Sequence, residues 1–253
     1  MTRLAAIVSA SLLAGATLAG GPAYAQEEEE TDPWDLAVEF GLNGASGNSS
    51  FTILRGGFTA NRVETDLFEL DFRAVVRYGK NEERVIADDA KASVRFDWRP
   101  SARFSPFVLA DIARDEIRRL DLKSTGGVGA KWSAIDRPNG DLSLSLAGIY
   151  DYQNFKVEPM SGDPESESQI RWSARLKGER SFGDGATYEH VTFYQPAVDD
   201  FGDYVIEITN SVTTTLIGNL SLAVEHLYLR DSAPPPGAAA DDQKYSVLFR
   251  LAF

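Results

Sequence analysis

The stretch KYSVLFRLAF, residues 244–253, decides the fold because every second side chain in it is large and apolar. Lysine, serine and arginine occupy most of the positions between. Successive side chains of a β-strand point to opposite faces, so this segment is a strand with one apolar and one mostly polar face. Chain ends are usually polar and frayed, so an apolar surface must cover this one. The apolar positions are Tyr245, Val247, Phe249, Leu251 and Phe253.

The same alternation recurs along most of the chain. It is clearest over residues 34–42, 68–78 and 142–152, and weaker segments bring the total to about twelve strands. Most run to about ten residues, the length that a tilted strand needs to cross a bilayer. The predicted strands are 34–44, 50–60, 66–78, 90–99, 104–113, 121–132, 141–152, 169–182, 187–195, 204–217, 220–230 and 243–253. The sequence therefore predicts an all-β fold, a transmembrane antiparallel up-and-down β-barrel over residues 34–253.

The composition narrows the class of protein. A chain of 253 residues with 43% hydrophobic and 25% charged residues is not typical of disorder. Its net charge of −13 argues against nucleic acid as a partner, because phosphate binding requires an excess of clustered Lys and Arg. The absence of cysteine excludes disulfides, thiolate metal sites and cysteine nucleophiles.

The N-terminus has the pattern of a secretory signal. Arg3 precedes the apolar run LAAIVSASLLAGATLAG, and AYAQ supplies an A-x-A cleavage site ending at Ala25. We predict a cleaved signal peptide over residues 1–25 and an acidic N-terminal lead over residues 26–33. No later run is long and apolar enough for a membrane helix. The predicted location is the outer membrane of a Gram-negative bacterium.

Connections and aromatic residues support that topology. With a periplasmic N-terminus, the outer connections are longer and richer in Pro, Gly and acid than the inner ones, as in outer-membrane barrels. The longest include GKNEERVIADD (79–89), NFKVEPMSGDPESES (154–168) and DSAPPPGAAADDQ (231–243). Aromatic girdles are expected at both interfaces. Their candidate members are Trp34, Trp98 and Trp132 at the periplasmic rim and Tyr78, Tyr150, Trp172 and Tyr228 at the outer rim.

A soluble β-sandwich or lipocalin-like barrel explains the alternation equally well. It does not explain the strand lengths, the aromatic residues at strand ends, or the charges interleaved with the apolar positions. In a membrane barrel these charges face the lumen, either as a salt-bridge network or as the wall of a narrow channel. The lumen-lining candidates are Arg73, Arg77, Arg95, Lys131, Asp151, Arg171, Arg175, Lys177, Glu179, Glu207 and Glu225.

Evidence for enzymatic chemistry is weak. The chain has only two histidines. His226 shares the apolar face of its strand, and His190 lies on a strand whose orientation the pattern does not fix. The sequence contains no G-x-S-x-G, H-E-x-x-H, Walker or EF-hand motif. We therefore predict no catalytic residues, no cofactor and no metal site. The glycines of STGGVGAKW (124–132) precede no helix and are expected to relieve crowding or allow curvature in a barrel strand.

Several segments resemble known patterns. A last strand ending in phenylalanine resembles the signal read by the barrel assembly machinery. NGASGNSS (43–50), FTILRGGF (51–58) and LDLKSTGGVGAKW (120–132), together with the closing strand, resemble the salt-induced outer-membrane protein family, a domain of unknown function. That resemblance implies a 12-stranded barrel and transfers no catalytic residues.

The functional expectation is a non-catalytic outer-membrane barrel that acts as a narrow channel for small solutes or ions, or as an envelope-integrity protein. The alternatives are a lipid-modifying enzyme and a loop-mediated binding or adhesion protein. Expected partners are outer-membrane lipid, lipopolysaccharide, the barrel assembly machinery through the C-terminal strand, and small solutes or ions. We expect a monomer that binds no nucleic acid.

Overall fold

The computed structural model describes residues 34–45, 51–64, 67–81, 84–98, 103–156, 165–183, 185–234 and 239–253. The predicted signal peptide and acidic lead lie outside them. The described residues contain twelve strands, which confirms the predicted number. They are β1 (Trp34–Ala45), β2 (Phe51–Glu64), β3 (Phe68–Asn81), β4 (Arg84–Trp98), β5 (Phe104–Asp115), β6 (Leu120–Arg137), β7 (Gly140–Phe155), β8 (Ser166–Phe182), β9 (Ala186–Pro196), β10 (Tyr204–Ile217), β11 (Leu220–Asp231) and β12 (Asp241–Ala252).

The strands form a closed antiparallel barrel. Each pairs with its neighbours in sequence, and β1 closes on β12 with Phe40 opposite Phe249. Closure leaves no unpaired strand edge, which a β-structure in lipid requires because hydrocarbon supplies no hydrogen bonds. The described residues contain no helix that is long and apolar enough to span a membrane. The fold is therefore the predicted up-and-down barrel.

The barrel has two distinct ends. The short-turn end carries both ends of the barrel domain and the connections 65–67, 99–103, 138–139, 183–185 and 218–219. The opposite end, called the loop end below, carries the connections 46–50, 82–83, 116–119, 156–165, 197–203 and 232–240. The expected asymmetry is present, although 82–83 and 116–119 are as short as the turns.

The predicted loop over residues 79–89 is wrong. β3 continues to Asn81 and β4 begins at Arg84, with one irregularity in the pairing after Gly79. The two strands stay paired beyond the expected boundary, and Arg77 Nη2 contacts Asp89 Oδ1 at 2.6 Å across them. The polar composition of this segment suggests a loop, but the cross-strand ion pair makes it compatible with a hairpin.

The alternation divides the side chains between two walls. On β1, Ala37 and Glu39 are 0% and 8% exposed, whereas Val38 and Phe40 are 45% and 53% exposed. The inner wall thus receives the small and charged residues, and the outer wall presents large apolar residues. This is the arrangement of a transmembrane barrel and the reverse of a soluble protein with an apolar core.

Candidate functional site

The candidate site is the lumen, because the strand registers place charged side chains there from every sector of the barrel. All eleven charged residues predicted as lumen-lining occupy inner-wall positions: Arg73, Arg77, Arg95, Lys131, Asp151, Arg171, Arg175, Lys177, Glu179, Glu207 and Glu225. Their contacts form clusters at different heights of the barrel.

The cluster at mid-height joins β1, β2, β3, β11 and β12. Arg55 Nη1 donates to Glu225 Oε1 at 2.5 Å and to Ser246 Oγ at 3.3 Å. Arg73 Nη2 lies 3.6 Å from Glu39 Oε2 and 3.8 Å from Glu225 Oε2. Opposite charges from strands that are not neighbours therefore neutralise one another across the curvature of the wall. Arg55 and Glu39 are absent from the predicted set, although their alternation with Leu54 and Phe40 would have revealed them.

A second cluster lies toward the short-turn end. Arg95 Nε donates to Asp97 Oδ2 at 2.6 Å, and Lys131 Nζ is 3.1 Å from Asp97 and 3.4 Å from Glu69. Glu69, Asp71 and Asp97 offer carboxylate oxygens within 4.8 Å of one another, a spacing that suits a metal ion. Arg95 and Lys131 already pair with Asp97 and Glu69, and Asn61 donates a hydrogen bond to Asp71, so we interpret the cluster as an ion-pair network.

An apolar patch interrupts the charged wall beside this cluster. Phe107, Ala147 and Ile149 are buried in contact with Leu109 on the inner wall. The Arg95 guanidinium lies 3.7 Å from the centre of the Phe107 ring, a cation–π distance. Placing a Cβ on Gly129 would bring it within 2.7 Å of the Phe107 ring. The predicted role of glycine in relieving crowding is confirmed at this position.

A third cluster, toward the loop end, fixes the connection between β9 and β10. The two Arg171 Nη atoms donate to the Asp203 carboxylate at 2.9 Å and to the carbonyl oxygens of Gln195 and Asp203 at 3.2 Å. Asp151, which is almost fully buried, lies 3.8 Å from Arg171 and 3.4 Å from Lys123. The donors of Arg171 are thus occupied in fixing the connection between β9 and β10, so this side chain is not available to a solute.

Arg175, two inner-wall positions away from Arg171 on β8, has a different environment. Its guanidinium lies 5.5 Å from the Phe193 ring centre, and its Nε is buried without a hydrogen-bond partner among the described residues. The next inner-wall cation on the strand, Lys177, is paired with Glu189 at 2.8 Å. Arg175 therefore carries a lumen charge that no carboxylate of the described residues contacts directly.

The lumen contains solvent-accessible space. Twelve strands spaced about 4.8 Å apart and tilted by about 40° close into a backbone cylinder roughly 24 Å across. Lys91 of β4 and Glu207 of β10 interact electrostatically from opposite walls, so side chains fill part of that width. Arg73 points inward, yet 47% of its side chain is exposed. Space between the walls therefore reaches the middle of the barrel.

An ion pair crosses the loop end. Arg118, in the connection between β5 and β6, lies 3.1 Å from Asp231 at the end of β11. Five strand steps separate β6 from β11 in one direction around the barrel, so the contact joins nearly opposite sides. The same connection is held by a hydrogen bond from Glu116 N to Asp88 O at 2.9 Å. We call Arg118 and Asp231 the mouth latch.

The other side of that connection is held by Lys156. Its backbone N–H donates to Arg119 O at 2.8 Å, and its ammonium is paired with Glu116. The hydrogen bond to Glu116 raises the pKa of Lys156 above its ordinary value.

The predicted girdle residues all face outward by register. Trp34, Trp98 and Trp132 lie near the short-turn end and Tyr78, Tyr150, Trp172 and Tyr228 near the loop end. The C-terminal series Tyr245, Val247, Phe249, Leu251 and Phe253 also faces outward and is 43–68% exposed. In a bilayer these positions contact lipid.

Both histidines lie on the outer wall. His190 shares its face with Tyr194, and His226 stacks on Tyr245 with ring centroids 4.8 Å apart. A lumen-facing His190 beside a serine or carboxylate would have supported the lipid-modifying alternative, and the register instead puts His190 on the outer wall. The contacts of His190 are instead to Asn210 and Thr192.

A closed antiparallel barrel with an apolar outer wall and a charged inner wall defines a transmembrane β-barrel of the outer-membrane type. The chain belongs to the family described as "Protein of unknown function, DUF481", whose model matches residues 38–253. A comparison with curated proteins finds no match.

Solved structures share the barrel. The COG4313 outer membrane channel from Pseudomonas putida F1 is 11% identical in sequence and superposes with a TM-score of 0.53. The match covers 91% of this chain and 100% of the channel's chain. The NanC porin is 11% identical and covers 87% of this chain and 97% of its own, with a TM-score of 0.48. The translocator domain of the autotransporter NalP from Neisseria meningitidis is 11% identical and covers 89% and 90%, with a TM-score of 0.46. Identities this low show a common fold and not a common activity.

Proposed function

We propose that this protein is a narrow, non-catalytic channel of the Gram-negative outer membrane that passes small ions or solutes. One observation carries the proposal: Arg73 faces inward at mid-height and remains half exposed, so there is space for water beside it at the centre of the barrel. A barrel filled by its own side chains would bury such a residue. The mixed charge of the inner wall favours small hydrophilic solutes of either sign over apolar ones.

The route to the membrane is part of this proposal. Residues 1–25 act as a cleaved export signal, and the C-terminal strand ending at Phe253 addresses the chain to the barrel assembly machinery. The outward aromatic residues then sit against phospholipid and lipopolysaccharide.

Arg175 offers the sharpest test because its charge is unpaired among the described residues. We expect refolded mature protein to give discrete conductance steps in a planar bilayer, with an ion preference set by the reversal potential in a salt gradient. Arg175→Glu should move that preference toward cations, whereas Arg175→Lys should leave it unchanged. Arg180→Glu is the matched control, because Arg180 lies on the same strand but on the outer wall.

Two results would contradict the proposal. Folded, inserted protein that gives no conductance would indicate a closed barrel and would favour an envelope-integrity role or an activity of the connections at the loop end. Equal effects of Arg175→Glu and Arg180→Glu would mean that the ions do not pass along the inner wall.

A further inference from the structure

A row of polar side chains crosses the outer wall on four neighbouring strands. Asn210 of β10 lies between His190 of β9 and His226 of β11, and His226 is paired in register with Tyr245 of β12. Along β10, the outward residues on either side of Asn210 are Ile208 and Val212. Because Asn210 is near the middle of its strand, the row lies at the depth of the hydrocarbon and not at a water interface.

The row is an exception on this barrel. Other strands present large apolar residues in the middle of their outer faces, including Val94, Val128 and Leu144, all of which are at least 39% exposed. The outer face of β9 instead carries Tyr188, His190, Thr192 and Tyr194. Polar groups facing hydrocarbon are costly, since lipid offers them no hydrogen bonds, and they usually mark a functional contact.

Some of the polar groups in the row form hydrogen bonds with one another. His190 Nδ1 and Asn210 Oδ1 are 2.8 Å apart, as are His190 Nε2 and Thr192 Oγ1. Tyr188 donates its hydroxyl proton to the same Asn210 oxygen at 2.8 Å. Since a carbonyl oxygen only accepts, His190 donates from Nδ1 and accepts the Thr192 hydroxyl at Nε2.

The rest of the row is unsatisfied. Asn210 Nδ2 carries two N–H donors that find no acceptor among the described residues, and exchanging the amide oxygen and nitrogen would only leave the oxygen unpaired instead. His226 Nε2 is also without a hydrogen-bond partner within the described part of the chain. The His226 nitrogen is covered by neighbouring side chains, so the Asn210 amide is the group at the centre of the row that lipid tails cannot match.

We propose that this surface, centred on Asn210, is the interface of a two-fold homodimer in the membrane. Copies inserted in the same direction are related by an axis along the membrane normal. If that axis passes beside Asn210, the tilted rows of the two copies cross there and each Asn210 amide faces the other. An amide carries both donor and acceptor, so it is complementary to itself, and a lone asparagine in an apolar interface is known to fix the state of association.

A second copy explains features that other occupants do not. Lipid tails would leave the amide unpaired, and a different protein would have no reason to match a nearly symmetric row with a histidine on each side of one asparagine. The proposed dimer departs from the sequence-based expectation of a monomer, and the experiment below decides between the two. It does not depend on the lumen being open, because the interface involves only the outer wall.

The absence of cysteine in the natural chain allows a direct test. Val212→Cys places a thiol one outward position from Asn210, and Val94→Cys places one on β4, six strands away on the opposite side. We expect a short bifunctional maleimide, applied to the full-length protein exported to native outer membranes, to link Val212→Cys into a dimer at least fivefold more than Val94→Cys. Adding Asn210→Val to Val212→Cys should lower that yield at least fivefold, whereas adding Thr213→Val, an inner-wall change on the same strand, should not.

The heat-dependent mobility of folded barrels on gels verifies that each variant is assembled. Equal yields of cross-linked dimer from the two cysteine positions would mean that the cross-links arise from chance collisions, which would overturn the proposal. So would the absence of any dimer from Val212→Cys, which would assign the row to a lipid or to another protein. A yield that Asn210→Val leaves unchanged would remove Asn210 from the interface.

Discussion

The inner and outer walls of the barrel are made from alternate residues of the same strands, yet they obey different rules. The outer wall must be apolar because it faces hydrocarbon, and its side chains have room around them. The inner wall is charged, and its stability rests on contacts between strands that are distant in sequence, such as Arg55 with Glu225. The effect of a substitution on stability should therefore depend on which wall it lies on and not on which strand carries it.

The largest effect is expected from a charge on the lipid side. Leu146 is 56% exposed in the middle of the outer face of β7. Leu146→Arg should lower the free energy of unfolding by about 3 kcal/mol, because the guanidinium must leave water for hydrocarbon. Denaturant unfolding of protein inserted in lipid vesicles would measure the loss.

Thr213→Arg is the matched inner-wall change, since Thr213 faces the lumen between Thr187 and Ala223. It should cost less than about 1 kcal/mol, as expected for a hydrated surface position. Equal destabilisation by the two arginines would mean that the lumen is dry or that the walls are wrongly assigned.

An added side chain should have the reverse effect of an added charge: it should destabilise the barrel more on the inner wall than on the outer wall. A Cβ on Gly129 of the inner wall would lie 2.7 Å from Ala147 Cβ, while one on Gly126 of the outer wall meets nothing within 4 Å. Gly129→Val should destabilise the barrel by about 2 kcal/mol through overpacking. Gly126→Val should be neutral within about 0.5 kcal/mol. The same unfolding assay compares them, and a reversed order would contradict the packing of the inner wall.

The smallest effect on stability, with the clearest effect on conductance, is expected at the mouth latch. Arg118→Ala should change the unfolding free energy by less than about 1 kcal/mol, as for most ion pairs near water. It should nonetheless raise single-channel conductance, because it removes the side chain that reaches across the loop end to Asp231.

Arg114→Ala is the control for the latch, since Arg114 pairs with Asp88 at 3.1 Å on the outer wall near the same end. Exchanging the charges with Arg118→Asp and Asp231→Arg should restore the natural conductance. If Arg118→Ala and Arg114→Ala conduct alike, the latch does not limit passage.

Much of the difference between the two walls was predictable from the alternation of residues along each strand. The alternation around Phe72 and Leu144 identifies the lipid-facing wall, and charges such as Arg73 and Lys177 follow on the other wall because the strand period is two. The pattern is ambiguous where both faces contain apolar residues. On β5, Phe107 and Leu109 share a face with Asp111, and only their contacts with Gly129 and Arg95 show why that face is the inner one.

The sequence by itself determined the number of strands, the identity of the two walls and the ends at which aromatic residues gather. These properties depend on the period of a single strand and on the lengths of the turns between neighbours. Only the tertiary structure decided which charges meet, that Arg118 reaches Asp231, and that both histidines lie beside Asn210 on the lipid side. Those contacts depend on the relative register of many strands around a closed barrel, which no local pattern encodes.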